Sequence, residues 1–312
     1  MVKPIVKDTI IMKNIKQPIR LNPECVSCLV KKQIERYPKD IPSGDKIKYM
    51  QSVLQTIAQA SETMSAPEIV DEIYKIQKQM FGIDKDYTEI KRYFNNIMLE
   101  LEPDIRREIK KSSEPLKTAV QYAMTGNYID FAAMDSVDEN KLREMLKSAP
   151  SNTVDETEYA ALKRDLTNSE KLVFLTDNCG EIVLDKILIE TITNINPKLD
   201  ITVIVRGQNV VNDAVMADAE QIGLTKQVRV TNNGSSIAGT CLNIISDEAR
   251  QIIENADAII SKGQGNFETL QKCGLNVYYI FMCKCKMFAD RFSVPLYSGI
   301  LINDKTVCEI IR

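Results

Sequence analysis

The sequence predicts an α/β protein: a Rossmann-like, doubly wound, mostly parallel sheet joined to a helical N-terminal domain. Three observations carry that prediction. Residues 43–150 repeat apolar side chains at helical spacing, and beyond about residue 170 short apolar runs alternate with helical patterns. Those runs also lack the strict polar alternation of a half-exposed sheet, as expected of strands covered by helices on both faces.

The helical part comes first. Met50, Val53, Leu54, Ile57 and Ala58 recur at i, i+3, i+4, i+7 and i+8, and so share one helix face. Ser65-Ala66-Pro67-Glu68 combines a capping-box spacing with a proline in the first turn, ahead of a stripe of Ile69, Val70, Ile73, Tyr74 and Met80. Ser136-Val137-Asp138-Glu139 repeats the capping logic before Leu142, Met145 and Leu146. Ala149-Pro150-Ser151-Asn152 then reads as a break, dividing a helical domain over 1–150 from an α/β domain over 151–312. After a polar stretch with Asp155, Glu156 and Glu158, the runs 171–176, 201–206, 228–230, 258–261 and 277–282 read as strands. The last segment, 301–312, reads as a short hairpin or an edge strand.

Composition narrows the chemistry. The 312 residues are 44% hydrophobic and 27% charged, an ordinary globular balance. A formal charge of −3 gives the chain as a whole no electrostatic reason to seek nucleic acid or an anionic membrane. The longest apolar runs fall far short of the ~20 residues of a membrane helix. Eight scattered cysteines and no early apolar signal segment point to a reducing cytoplasm. The absence of histidine removes the commonest general base and transition-metal ligand, so catalysis must use carboxylates, lysine, cysteine, backbone dipoles or a metal. No feature sets the oligomeric state.

In open α/β sheets ligands bind beyond the carboxyl ends of the strands. Asp177-Asn178-Cys179-Gly180-Glu181 follows the first run, Arg206-Gly207 with Asn212-Asp213 the second, and Lys262-Gly263-Gln264-Gly265-Asn266-Phe267-Glu268 the fourth. Cys283-Lys284-Cys285-Lys286 follows the last. Asp and Asn oxygens suit hard divalent cations, Arg and Lys suit a phosphate, and glycine turns with helix N-termini favour anions. Each Asp or Asn taken singly also reads as a helix cap; their coincidence on several strands favours a site.

These motifs, together with Asp185 and Gly126-Asn127-Tyr128-Ile129-Asp130-Phe131, resemble the damage-control phosphatases, metal-dependent enzymes once catalogued as domain of unknown function eighty-nine. Cys25-Val26-Ser27-Cys28 is similar to the CxxC of one archaeal and bacterial branch, and the likeness runs from about Pro23 to the C-terminus. The resemblance implies hydrolysis of small phosphorylated metabolites, sugar phosphates first, with Mn²⁺, Mg²⁺, Co²⁺ or Ni²⁺ held by Asp177, Asn178 and Asp213. It further implies that Lys262 and Asn266 face the phosphate and that Asn127 reaches the same pocket. Two places depart from the family pattern: Cys179 stands where alanine is expected, and the run around Lys284, also assigned to substrate, differs from Lys-x-Lys-Cys.

The implied chemistry is metal-assisted hydrolysis, with the cation polarising a phosphoryl oxygen and lowering the pKa of a bound water, and Lys262 and Arg206 offsetting developing charge. A covalent route through Asp177 ranks lower, because an acceptor signature needs a second Asp where Cys179 stands. Three other readings remain. A nucleotide or dinucleotide site is suggested by Gly263-Gln264-Gly265, though Glu268 occupies the third glycine position. A methyltransferase loop would have only Gly180 after the first strand. A non-catalytic interaction module stapled by metal at Cys25 and Cys28 leaves the sheet-edge residues unexplained. The CxxC itself reads as half of a second metal site, a redox pair or packing, and four-coordinate zinc needs further ligands, with Cys283 and Cys285 as candidates.

Overall fold

The computed structural model describes residues 21–36, 40–61, 63–82, 86–130 and 137–310. Phe131 and Ser136 of the motifs above, and the first 20 residues of the expected N-terminal domain, lie outside the described residues. Among the described residues seven α-helices precede the first strand: α1 (Pro23–Glu35), α2 (Ser43–Gln59), α3 (Ala66–Phe81), α4 (Thr88–Lys111), α5 (Pro115–Gly126), α6 (Glu139–Ser148) and α7 (Glu156–Asn168). Then β1 (Lys171–Leu175), α8 (Glu181–Ile195), β2 (Asp200–Val205), α9 (Met216–Gln221), β3 (Arg229–Asn232), α10 (Asp247–Glu254), β4 (Ala258–Lys262) and α11 (Gln264–Leu270) alternate. The chain closes with β5 (Val277–Met282), α12 (Lys286–Phe292), β6 (Gly299–Asn303) and α13 (Asp304–Ile310).

The sheet order is β3-β2-β1-β4-β5-β6, parallel throughout except for β6, which runs antiparallel to β5. Chain direction across the sheet reverses between β1 and β4, so the loops after those strands open a crevice at their carboxyl ends. Leu172 and Phe174 of β1 face one core and Val173 and Leu175 the other, as the two-residue period of a strand requires. The first core packs α4, α5 and α8 on one face of the sheet; the second holds α10 to α13, with Phe267, Phe281, Phe288 and Phe292 in edge and stacked contacts. A third, small core around Tyr49, Val53, Ile69 and Ile73 joins α1, α2 and α3. The break near residue 150 is a single 3-10 turn, and the first core takes residues from both sides of it, Ala123 and Leu146 beside Leu172 and Ile260.

Local signals explain most helix starts. Ser65 and Glu68 form the expected capping box of α3, and Gly82 closes that helix at φ +63°. Helix α6 is capped by Asp138, whose side chain accepts from the Lys141 amide. Two helices absent from the sequence reading carry equally local signals. Asn22 caps α1 ahead of Pro23, and Asp155 caps α7, turning the polar stretch into a helix whose buried Glu158 accepts the Asn303 amide and the Thr306 hydroxyl. The C-terminal segment corrects the hairpin reading. It makes an edge strand, then a helix that starts where Asn303 accepts the Lys305 amide. Among the described residues no helix is long and apolar enough to cross a membrane.

Candidate active site

The loop after β1 and the loop after β2 are bonded to each other. Asn178 and Asp213 form an isolated antiparallel bridge, the Cys179 amide donates to the Asn212 carbonyl at 2.8 Å, and the Ala214 amide donates to the Asp177 carbonyl at 2.7 Å. Backbone pairing thus holds Asp177, Asn178 and Asp213 in fixed register although 36 positions separate the first from the last. Gly263, at the end of β4, makes room for them. Its φ is +83°, and a Cβ there would lie 2.0 Å from Asp177 Oδ2. Gly265 serves packing in the same way, since a Cβ on it would meet the Ala238 carbonyl at 2.1 Å. Close packing against Asp177 and Ala238 thus accounts for both glycines without a pyrophosphate.

Arg206, 1% exposed, lies between the two aspartates. Its Nε donates to Asp213 Oδ2 at 2.6 Å, one terminal nitrogen to Asp177 Oδ1 at 3.4 Å, and the other to Asn266 Oδ1 at 3.1 Å. Asn266 is fully committed, its amide nitrogen donating to the carbonyls of Thr176 and Lys262 and its oxygen also accepting from Thr240. Asn127, from the end of α5, donates to Asp177 Oδ2 at 3.0 Å and to both Glu181 oxygens, and accepts the Met282 amide. Asn178 turns its amide nitrogen to Asp177 and Glu181, at 2.6 and 3.1 Å, leaving its amide oxygen as the group to offer a cation. The Lys284 ammonium bonds the Asn127 carbonyl at 2.7 Å and Asp130 at 2.5 Å.

Lys262 takes a different position from the one its motif implies. Its ammonium is 0% exposed and donates to Glu181 Oε1 and Asp185 Oδ1, both at 2.6 Å, and to the Ala123 carbonyl at 2.9 Å. All three donors of the ammonium are used, and the residue is not part of the cavity wall. It holds α8 and α5 to β4 rather than presenting charge to a phosphate. Arg206, Asn127 and Lys284 likewise bond the aspartates without lining the cavity, and Asn266 is linked to them only through Arg206, whereas Asp130, Asp177, Asn178 and Asp213 face the cavity.

That cavity has a volume of about 220 Å³ and is closed on its far side by α1 and α3, through residues that include Lys32, Arg36 and Tyr74. Burial pushes the Asp177 carboxyl well above its ordinary value, reinforced by the charges of Asp213 and Glu181. Burial likewise raises Asp213, against the pull of Arg206. Asp185 is pushed up to about 7 by burial, with Lys262 opposing, and its Oδ2 has no hydrogen-bond partner. Within this bonded network five carboxylates, on residues 130, 177, 181, 185 and 213, face three cations, on residues 206, 262 and 284. A divalent cation is the natural complement of that excess, and the oxygen donors of Asp177, Asn178 and Asp213 fit a hard one.

Asp130 was legible only as part of the Asn127 motif, and Gly263 only as part of the glycine turn. The thiols divide. Cys25 and Cys28 of α1 line the cavity with Cys285 and Glu268, while Cys283 is buried in the second core. Of these two candidate ligands, both just beyond the last residue of β5, Cys285 lines the cavity and Cys283 does not.

The sequence profile of the damage-control phosphatase ARMT1-like domain matches residues 21–300. A damage-control phosphatase of Archaeoglobus fulgidus is 28% identical over 283 residues, covering 88% of this chain and 96% of its own. Another, of Pyrococcus horikoshii, is 28% identical over 288 residues, covering 90% and 97%. An uncharacterized protein of Methanocaldococcus jannaschii is 26% identical over 305 residues, covering 94% and 99%. The crystal structure of a DUF89 family protein from Pyrococcus horikoshii superposes with a TM-score of 0.75 at 26% identity, covering 92% of this chain and 99% of that one.

Proposed function

The chain belongs to the damage-control phosphatase ARMT1-like family, and from that premise we propose that it hydrolyses phosphate monoesters of small metabolites, sugar phosphates first, with a divalent metal in the crevice between β1 and β4. One observation carries the reading: Asp177, Asn178 and Asp213, held by two interlocked loops, turn hard oxygen donors into one small cavity with an excess of buried negative charge. Asp177, Asn178 and Asp213 would hold the ion, with Asp130 beside them on the wall. Bound there, Mn²⁺, Mg²⁺, Co²⁺ or Ni²⁺ supplies Lewis-acid polarisation of the phosphoryl group and a water of lowered pKa.

The protein's own groups hold this arrangement in place before substrate arrives. Arg206 orients one oxygen of each aspartate, and Asn127 orients the other oxygen of Asp177. Lys262 bonds Glu181 and holds it aimed at Asn127 and Asn178. Such preorganised dipoles need no rearrangement as charge develops. The cationic side chains of Lys32 on α1 and of Arg36 just beyond it offer the remaining polar groups of a substrate a counter-charge.

The test is phosphate release from an aryl phosphate and a panel of sugar phosphates, in chelator and then in each of the four metals. Turnover that needs metal, and that falls by at least about 100-fold in Asp177→Ala and Asp213→Ala, supports the reading. A folded protein without turnover under any metal overturns it.

A further inference from the structure

The cavity has a second chemically distinct wall that the hydrolytic reading leaves unused. Cys25 and Cys28 lie one turn apart on α1, Cys285 precedes α12, and Glu268 lies on α11; all four line the cavity. Cys25 and Cys285 both pack against the second core, Cys25 is within electrostatic reach of Glu268, Cys285 and Cys28, and Gln264 Nε2 approaches Cys285 Sγ at 3.8 Å. Three thiols and one carboxylate from three separate elements therefore meet on one surface.

We propose that Cys25, Cys28, Cys285 and Glu268 bind a soft divalent cation of the Zn²⁺ class, separate from the oxygen-ligated ion at Asp177 and Asp213. The donor chemistry carries the distinction: thiolates select zinc, whereas the carboxylate and amide oxygens across the cavity select harder ions. Residues i and i+3 on a helix stand on one face, close enough for two thiols to share an ion, and Cys285 with Glu268 completes four ligands. Among the described residues no three such groups stand together closely enough to hold an ion as placed, so binding requires these cavity-lining side chains to turn toward one another.

The site has a structural consequence. Helices α1 to α3 have only a small core of their own, and Lys32 and Arg36, which close the cavity, follow Cys28 by one and two turns. An ion shared by α1, α11 and the loop before α12 pins that cap to the sheet.

The full-length chain tests this without any turnover. Metal-free, reduced protein is titrated with Co²⁺ as an optical probe, then with Zn²⁺ in competition with a chromophoric chelator. One equivalent of Co²⁺ giving intense thiolate charge-transfer absorption, displaced by one equivalent of Zn²⁺, is the expected result. The band persists in Asp177→Ala and Cys308→Ser and weakens in Cys28→Ser and Cys285→Ser, with Zn²⁺ affinity down on the order of 100-fold or more. No charge-transfer band in folded wild type overturns the proposal. So does a band unchanged in both cysteine variants, or wild-type protein that instead loses two titratable thiols to a disulfide in air.

Discussion

Replacing Lys262 by methionine separates the structural reading of this lysine from the phosphate-facing one. The methionine keeps the length of the side chain and removes one buried cation. Glu181 and Asp185 then lose bonds of 2.6 Å each and are left facing one another, and the Ala123 carbonyl loses its donor. Breaking a buried ion pair by deleting one partner costs about 3–5 kcal/mol, because the remaining charge stays desolvated and unpaired. With a urea slope near ~3 kcal/mol/M for a protein of this size, the midpoint falls by about 1 M or more. The deficit grows with pH. Asp185 is already pushed up to about 7 by burial, partly restrained by Lys262. Without the lysine its folded pKa rises further, so stability is present when the carboxyl is protonated and is lost as pH rises through that value. Urea titrations followed by circular dichroism at about pH 6 and about pH 8 measure both effects. A Lys262→Met chain with wild-type urea midpoints at both pH values and abolished phosphate release would refute the reasoning and return the lysine to the substrate.

Three further outcomes are expected. Gly263→Ala puts a methyl 2.0 Å from Asp177 Oδ2 at a φ of +83°, so the folded variant should lose about 100-fold in kcat/KM, and activity within a few-fold of wild type would contradict the cradle. Asp177→Asn removes a carboxylate that burial and neighbouring charge disfavour; in chelator its thermal midpoint should match or exceed wild type. Wild type should gain about 2.7 kcal/mol at a hundredfold excess of Mn²⁺ over its Kd and Asp177→Asn should gain almost nothing, so equal stabilisation would place the ion elsewhere. Asp185→Asn replaces a group whose folded pKa is raised to about 7, so the stability wild type loses between about pH 4 and pH 7 should flatten; an unchanged profile by urea titration would remove Asp185 as its source.

The strands were legible because burial on both faces leaves a local mark. The run 277–282 coincides with β5, buried along its whole length, and 258–261 misses only the final Lys262 of β4. Edge strand β3 is the weakest match, Arg229–Asn232 against an expected 228–230, because its half-exposed residues carry little apolar pattern. Asp177, Asn178 and Asp213 could be named since each follows a buried strand. Asp130 and Glu268 could not be selected from the many acidic residues, because their helices and loops reach the cavity only through tertiary packing.

By itself the sequence determined the fold class, the strand-to-helix alternation, the histidine-free chemistry and the motifs at the carboxyl edge. All of these rest on periodicity, capping and composition, which act over a few residues. Only the tertiary structure decided that Lys262 turns inward to Glu181 and Asp185, that Arg206 sits between two aspartates, and that Cys285 rather than Cys283 joins the CxxC. Hydrogen bonding, desolvation and charge pairing are properties of partners, and here the partners lie up to 260 positions apart, between Cys25 and Cys285. Which of them meet is set by the crossover order of the sheet and by the helices packed across its edge, information that no local window contains.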